Sequence, residues 1–258
     1  MKGVVLAGGL GTRLLPMTRV TNKHLLPVYD RPMIYYPLQQ LVHAGIRDVL
    51  VVTGGDHADD FQKLLRDGQD FGLEHLGCAY QEGEGGIAQA LGLAEDFAAD
   101  SPICVILGDN IFETPIREAV DAYRADPEGA MVLLKEVDEP ERFGVAELRE
   151  DRVVSIVEKP SEPVGNLAVT GCYFYDGRVF EIVHGLSPSG RGELEITDVN
   201  NRYVEWGALR HHVVSGWWTD AGTIKSLYHA TQLVAAADDA PVLRMPEVGA
   251  TPRRRRLD

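Results

Sequence analysis

The sequence predicts an α/β fold with a mostly parallel mixed sheet, and three observations carry that expectation. Continuous apolar runs stand at 4–7 (VVLA), 49–53 (VLVVT), 103–107 (ICVIL) and 130–134 (AMVLL), as suits strands covered on both faces. Between them, 32–45, 58–71, 86–99 and 114–125 carry apolar residues at helical spacing, as in Phe61, Leu64 and Leu65 or Ile87, Leu91 and Ala94. The 258 residues are 45% hydrophobic, enough for a substantial core. Strand and helix patterns in alternation give β-α-β units and hence parallel pairing.

After about residue 140 the texture changes to shorter strand-like pieces, FGVAEL (143–148), RVVSIVEKP (152–160) and AVTGCYFY (168–175), with turns at Glu150–Asp151 and Asp176–Gly177. Helical spacing returns over 177–185 and 193–206, followed by a strand near 211–215 and a last helix over 222–236. The later strands predict a second sheet-rich region growing off the first. No repeat and no long linker separates the halves, so two lobes sharing one site are expected within a single unit, 1–238. Residues 239–258, with prolines and the four arginines 253–256, read as a loose tail.

A formal net charge of -14 argues against a nucleic-acid surface, which needs a basic face. Three cysteines, Cys78, Cys104 and Cys172, show no C-x-x-C spacing and are expected as buried thiols. The histidines include no H-E-x-x-H pair, and neighbouring His211 and His212 point to opposite sides of their strand, so a histidine–zinc site is not expected. Neither a leader pattern nor an apolar run of ~18 residues is found, which gives a cytoplasmic expectation with no membrane contact.

The first strand breaks at once into AGGLGTR. A strand followed by glycines is a place where backbone N–H groups can converge on a phosphate. It is not a Walker loop, because Thr12 and Arg13 follow Gly11 where Lys-Ser/Thr would be needed. It fits the dinucleotide fingerprint poorly too, with Leu14 at the third glycine position and Pro16 where a helix should run. A cradle of Gly8, Gly9, Gly11 and Thr12 beside the cationic fork of Arg13 remains, with an ordinary tight turn and a surface arginine as the alternative.

Asp109 and Asn110 follow ICVILG at the carboxyl end of a central strand, the edge where open parallel sheets bind ligands. Asp220 lies in GWWTDAGT just before the last helix. Either carboxylate could instead be a helix N-cap. If they converge, two hard oxygen ligands plus phosphate oxygens suit Mg²⁺. Lys23 in TNKHLLP and Lys159 in VEKP add cations beside turns. With Arg13 they could neutralise a triphosphate and a second phosphate. Phosphoryl-type transfer from an already anionic acceptor needs alignment and charge neutralisation rather than a base.

Taken in order, KGVVLAGGLGTRLLPMT, NKHLLPVYDRPMIYYPL, GIRDVLVV, VILGDNIF, ERFGV, EKP, AVTGCYFYD, RGELEITDVN and WTDAGT resemble the sugar-1-phosphate nucleotidylyltransferases over nearly everything up to about residue 235. The resemblance implies a Rossmann-like nucleotidyltransferase core, with a nucleotide-binding part over about 1–135 and a smaller sugar-binding lobe over about 136–238. It implies that Gly8, Gly11, Thr12 and Arg13 cradle the nucleotide's phosphates, that Lys23 meets the α-phosphate and the leaving pyrophosphate, and that Gln81 and Gly86 read a pyrimidine edge. Asp109 and Asp220 would hold Mg²⁺, with Asn110 beside the nucleotide. Gly144, Glu158, Lys159, Val169 and Tyr173 would surround glucose 1-phosphate. The implied reaction joins dTTP and glucose 1-phosphate to give dTDP-glucose and pyrophosphate, with UTP or CTP as alternative donors and a catalytically silent sugar-nucleotide sensor as the reading from another class.

The sequence departs from the family pattern in Asn22 and His24 around Lys23, in Ile87 near the base, and in Phe143 before Gly144. Larger members continue into a further helical segment, and its lack here gives the expectation of a homo-oligomer of small size, a dimer, with weak feedback by product.

Overall fold

The computed structural model describes residues 1–55, 57–162 and 164–237, so the expected tail over 239–258 lies outside the described residues. In chain order the elements are β1 (Lys2–Ala7), β2 (Pro27–Val28), β3 (Arg31–Pro32), α1 (Tyr35–His43), β4 (Asp48–Gly54), α2 (Ala58–Leu65), β5 (His75–Gln81), α3 (Ile87–Gly92), α4 (Glu95–Ala98), β6 (Ile103–Leu107), β7 (Asn110–Phe112), α5 (Arg117–Ala125), β8 (Ala130–Glu136), β9 (Gly144–Arg149), β10 (Arg152–Glu158), β11 (Leu167–Tyr175), α6 (Arg178–Gly185), α7 (Ile196–Glu205), β12 (Leu209–Val213), β13 (Trp218–Asp220) and α8 (Ile224–Ala236).

Nine strands form one sheet in the order β10-β9-β11-β6-β1-β4-β5, with β8 paired to β11 and β12 to β8. The four strands β6, β1, β4 and β5 run parallel. Beyond β6 the direction reverses at β11. The later strands, expected as a sheet-rich region growing off the first, continue the same sheet, because β11 pairs along β6 over Cys172–Tyr175 and hands β8, β9 and β10 a continuous edge. Among the described helices none is long and apolar enough to cross a membrane.

Burial on both faces explains the continuous apolar runs. Val4 and Leu6 of β1 enter one core with α3, α6 and α7, while Val5 and Ala7 enter another with α1, α2 and α5. A third, smaller core joins the two ends of the described chain: Leu14, Leu26, Val28, Met33 and Tyr36 pack with Ile111, Ala221, Leu227, Ala230 and Val234. This cluster fixes the site, since it docks α8 and the β2–β3 hairpin beside the carboxyl edge of the parallel strands.

Some local expectations are corrected. The helical stretch 86–99 divides into α3 and α4 around Leu93–Ala94, and 58–71 ends as α2 at Leu65 before a short 3-10 turn, Gln69–Phe71. Cys104 and Cys172 are buried as expected, but Cys78 is exposed because β5 is the open edge of the sheet.

Two glycines separate backbone strain from collision. Gly129 (φ +75°) would place a Cβ 2.3 Å from the Ala208 carbonyl oxygen, whereas Gly207 (φ +64°) would place one in open space. Gly207→Ala should cost about 1–2 kcal/mol from the left-handed backbone alone. Gly129→Ala should cost clearly more, about 3 kcal/mol or above, because the backbone itself must move. Urea denaturation of the two variants measures both; equal losses would mean that the contact at Gly129 relaxes freely.

Candidate functional site

The loop after β1 is shaped by glycines that the fold requires. Gly9 (φ +82°) and Gly11 (φ +65°) take left-handed backbone, and a Cβ on Gly11 would meet the Lys23 Cβ and the Thr18 methyl, each at 2.9 Å. The missing Cβ lets the glycine loop and the Lys23 segment approach closely. Thr12–Leu14 then form a 3-10 turn that carries Arg13.

Lys23 sits on a second 3-10 turn, Lys23–Leu25, capped by Asn22, whose side-chain oxygen accepts the His24 backbone N–H at 2.9 Å. The His24 ring is buried beneath Gly108, where a Cβ would lie 2.6 Å from its Cδ2. Burial first, then the Lys23 charge, pushes the His24 pKa down to about 3, so the ring is neutral. This packing holds the Lys23 Nζ 2.6 Å from Asp109 Oδ2.

Gly108 alone separates Asp109 from β6, and strand β7, not a helix, follows it, so it caps nothing. Burial alone would raise its pKa, but the charges of Lys23 and the hydrogen bonds from Lys23 and Asn110 outweigh it and hold the carboxyl well below the usual range. Asp220 is not a cap either: α8 is capped by Thr223, in a reciprocal box with Ser226. The register of β7 with β13 sets Asp220 opposite Asn110, and the Ala221 N–H donates to the Asp109 carbonyl at 2.9 Å.

The two carboxylates converge. A Cβ on Gly222 would lie 3.2 Å from Asp220 Oδ2, 3.4 Å from Asp109 Oδ2 and 3.5 Å from an Arg13 guanidinium nitrogen. Burial, and next the charge on Asp109, raises the Asp220 pKa. Two hard oxygens held together at such a cost form a pair able to receive a divalent cation.

Asn110, expected beside the nucleotide, is held by partners on three sides. The side chain is buried, with its Nδ2 donating to Asp109 Oδ1 at 3.1 Å and its Oδ1 accepting from the Trp218 indole at 2.7 Å and from the Gly171 N–H at 2.9 Å. It orients Asp109.

Gln81 ends β5 under the glycine loop, where a Cβ on Gly8 would lie 2.5 Å from its Oε1. Its Nε2 donates to the Gly86 carbonyl at 3.1 Å. Gly86 (φ +92°) leads into α3 against the Leu194 backbone.

On the other side, Gly144 of β9 faces Glu158 of β10 in register. A Cβ on Gly144 would come 3.3 Å from Glu158 Oε2, which accepts from the Thr197 hydroxyl at 2.8 Å. Lys159 (φ +43°) is fixed by its N–H to the Phe143 carbonyl, and its Nζ lies 3.4 Å from Glu158 Oε1. Tyr173 and Val169 are buried on β11, and burial followed by the Glu158 charge raises the Tyr173 hydroxyl pKa. Two cations escaped the sequence reading. Arg142 lies 3.3 Å from Asp220 Oδ1, and Arg191 lies 3.6 Å from Glu158 Oε1. Arg142 stands two residues before Gly144 in ERFGV, and Arg191 opens RGELEITDVN, so only proximity in the fold distinguishes them from other surface arginines.

A model of the nucleotidyl transferase family matches residues 2–237. The chain belongs to that family and is a nucleotidyltransferase. Within it, the chain is 48% identical over 238 residues to a glucose-1-phosphate thymidylyltransferase of Neisseria meningitidis, covering 91% of this chain and 82% of the relative. An Actinoplanes glucose-1-phosphate thymidylyltransferase is 43% identical, covering 95% and 82%. A crystal structure from Bacillus anthracis, of a protein assigned as glucose-1-phosphate thymidylyltransferase and in complex with a sucrose, superposes with a TM-score of 0.87 at 52% identity, covering 90% of this chain and 94% of that one. The fold is also shared with a UDP-glucose pyrophosphorylase, TM-score 0.81 at 24% identity, covering 91% and 98%.

Gly222 gives the cradle a direct test. Gly222→Ala should leave the urea midpoint near wild type but lower nucleotidyl transfer roughly a hundredfold or more, because the methyl occupies the space between the carboxylates. Transfer at the wild-type rate would show that this space is not used.

Proposed function

We propose that this enzyme transfers a thymidylyl group from dTTP to glucose 1-phosphate, giving dTDP-glucose and pyrophosphate. The observation that carries the reading is the convergence of Asp109 and Asp220 beside Arg13 and Lys23. The names of the relatives supply the substrates. The sugar phosphate oxygen attacks the α-phosphorus, and the bond to the bridging oxygen breaks with its electrons leaving on pyrophosphate. The nucleophile is already an anion, so no base is needed.

The backbone N–H groups of Gly8, Gly9, Gly11 and Thr12 line the triphosphate, and Arg13 forks its oxygens. Lys23 turns from Asp109 to the α-phosphate and leaving group. Gln81 and Gly86 face the base. Lys159 holds the acceptor phosphate, while Gly144, Glu158, Val169 and Tyr173 close on the sugar. Asp109 and Asp220 fit Mg²⁺, which when bound supplies charge neutralisation at the phosphates. The three free cysteines suit a reducing compartment, and we place the enzyme in the cytoplasm.

Pyrophosphate release tests the assignment. Asp109→Asn and Asp220→Asn should each lower kcat by roughly a thousandfold, and the double variant should be at most about tenfold worse than either, since the pair acts as one unit. Near-normal turnover in either single variant would remove the carboxylate pair from the mechanism. Lys159→Ala should raise KM for glucose 1-phosphate by about tenfold or more with little change for dTTP. Equal weakening of both substrates would reassign that lysine.

A further inference from the structure

The carboxylate pair stands among more positive charge than it can balance. Lys23 Nζ lies 2.6 Å from Asp109 Oδ2, and an Arg142 guanidinium nitrogen lies 3.3 Å from Asp220 Oδ1. An Arg13 nitrogen lies 3.5 Å from the point where a Gly222 Cβ would stand between the two carboxylates. Three cations thus face two carboxylates, and they do so differently. Lys23 sits on the Asp109 oxygen that faces the shared space, whereas Arg142 takes the other oxygen of Asp220 and leaves Oδ2 turned toward it.

Arg142 is itself held in place. Its other terminal nitrogen pairs with Glu139 at 3.1 Å, its guanidinium packs over the Phe143 ring at 5.1 Å, and that ring lies 5.0 Å from the Trp218 ring. Glu139 is 55% exposed against 20% for Asp220, so water screens the outer pair more than the inner one. A guanidinium donates on every edge and does not give up its proton, so neither rotation nor titration removes its repulsion of a metal ion.

We propose that Arg142 is a specificity-determining residue that makes the carboxylate pair refuse a bare divalent ion and accept the ion only together with a triphosphate. The inference rests on the proposed role of Asp109 and Asp220 in holding Mg²⁺. Among the described residues no group of three or more acidic, histidine or cysteine side chains gathers to hold a metal. The pair therefore offers two ligands, and the rest of an octahedral shell comes from water or substrate. A bare divalent ion adds positive charge to a site already in excess of it. The same ion carried by a triphosphate arrives as a net anion, brings its own oxygens, and meets the surrounding cations as partners.

Mn²⁺ is the probe, in two titrations of the full chain. In the first, electron paramagnetic resonance follows free Mn²⁺ without nucleotide. In the second, calorimetry measures dTTP binding in excess Mn²⁺ with no glucose 1-phosphate. Arg142→Gln should bind Mn²⁺ alone at least about tenfold more tightly than the wild type, a gain that a damaged fold does not produce, while its affinity for dTTP in excess Mn²⁺ should not rise. Arg142→Lys keeps the charge and should stay within about threefold of the wild type in the first titration. Adding Asp220→Asn to Arg142→Gln should abolish the gain. Unchanged Mn²⁺ affinity in Arg142→Gln overturns the proposal, as does an equal rise in both titrations or an Arg142→Lys enzyme that binds Mn²⁺ as tightly as Arg142→Gln. A gain that survives Asp220→Asn places the ion elsewhere; it overturns the reading of the carboxylate pair itself, and the proposal falls with it.

Discussion

The antiparallel pairing of β7 with β13 is the constraint on which the site depends. It sets Asn110 opposite Asp220, and the Ala221 N–H then reaches the Asp109 carbonyl, so two carboxylates from opposite halves of the sequence share one small space. Such a short ribbon is not stable alone. Its position comes from the third core, where Ile111 and Ala221 pack with Leu14, Leu26 and Leu227, and from the Trp218 indole donating to Asn110. The same cluster carries the segments that present Arg13 and Lys23. Hydrophobic burial thus places charges that would otherwise repel.

Asp109 and Asp220 destabilise each other, and the structure offsets this with cations that are also suited to substrate. Lys23 covers Asp109 and Arg142 covers Asp220, while Lys159 and Arg191 flank Glu158. In a chain of net charge -14, each of these cations is paired with a carboxylate.

The parallel strands were legible because burial on both faces leaves an unbroken apolar signature, and β1, β4, β6 and β8 carry it. β5 was not, since an edge strand buries little and HLGCAYQ shows neither alternation nor a continuous run. Asp109 could be singled out from its place after a central strand. The role of Asn110 could not, because its partners, Gly171 and Trp218, lie far away in sequence. Arg142 was invisible for the same reason: its meaning is a contact with Asp220.

Asp109 and Asp220 are proposed to act jointly on one divalent ion at the nucleotide's phosphates. A crystal grown with Mn²⁺ and a non-reacting dTTP analogue, with anomalous scattering locating the metal, tests it most directly. The expected result is an anomalous peak in contact with both carboxylates and the α-phosphate, with Lys23 turned from Asp109 to the nucleotide. A metal held by the phosphates alone, with the Lys23–Asp109 and Arg142–Asp220 pairs intact, would contradict it.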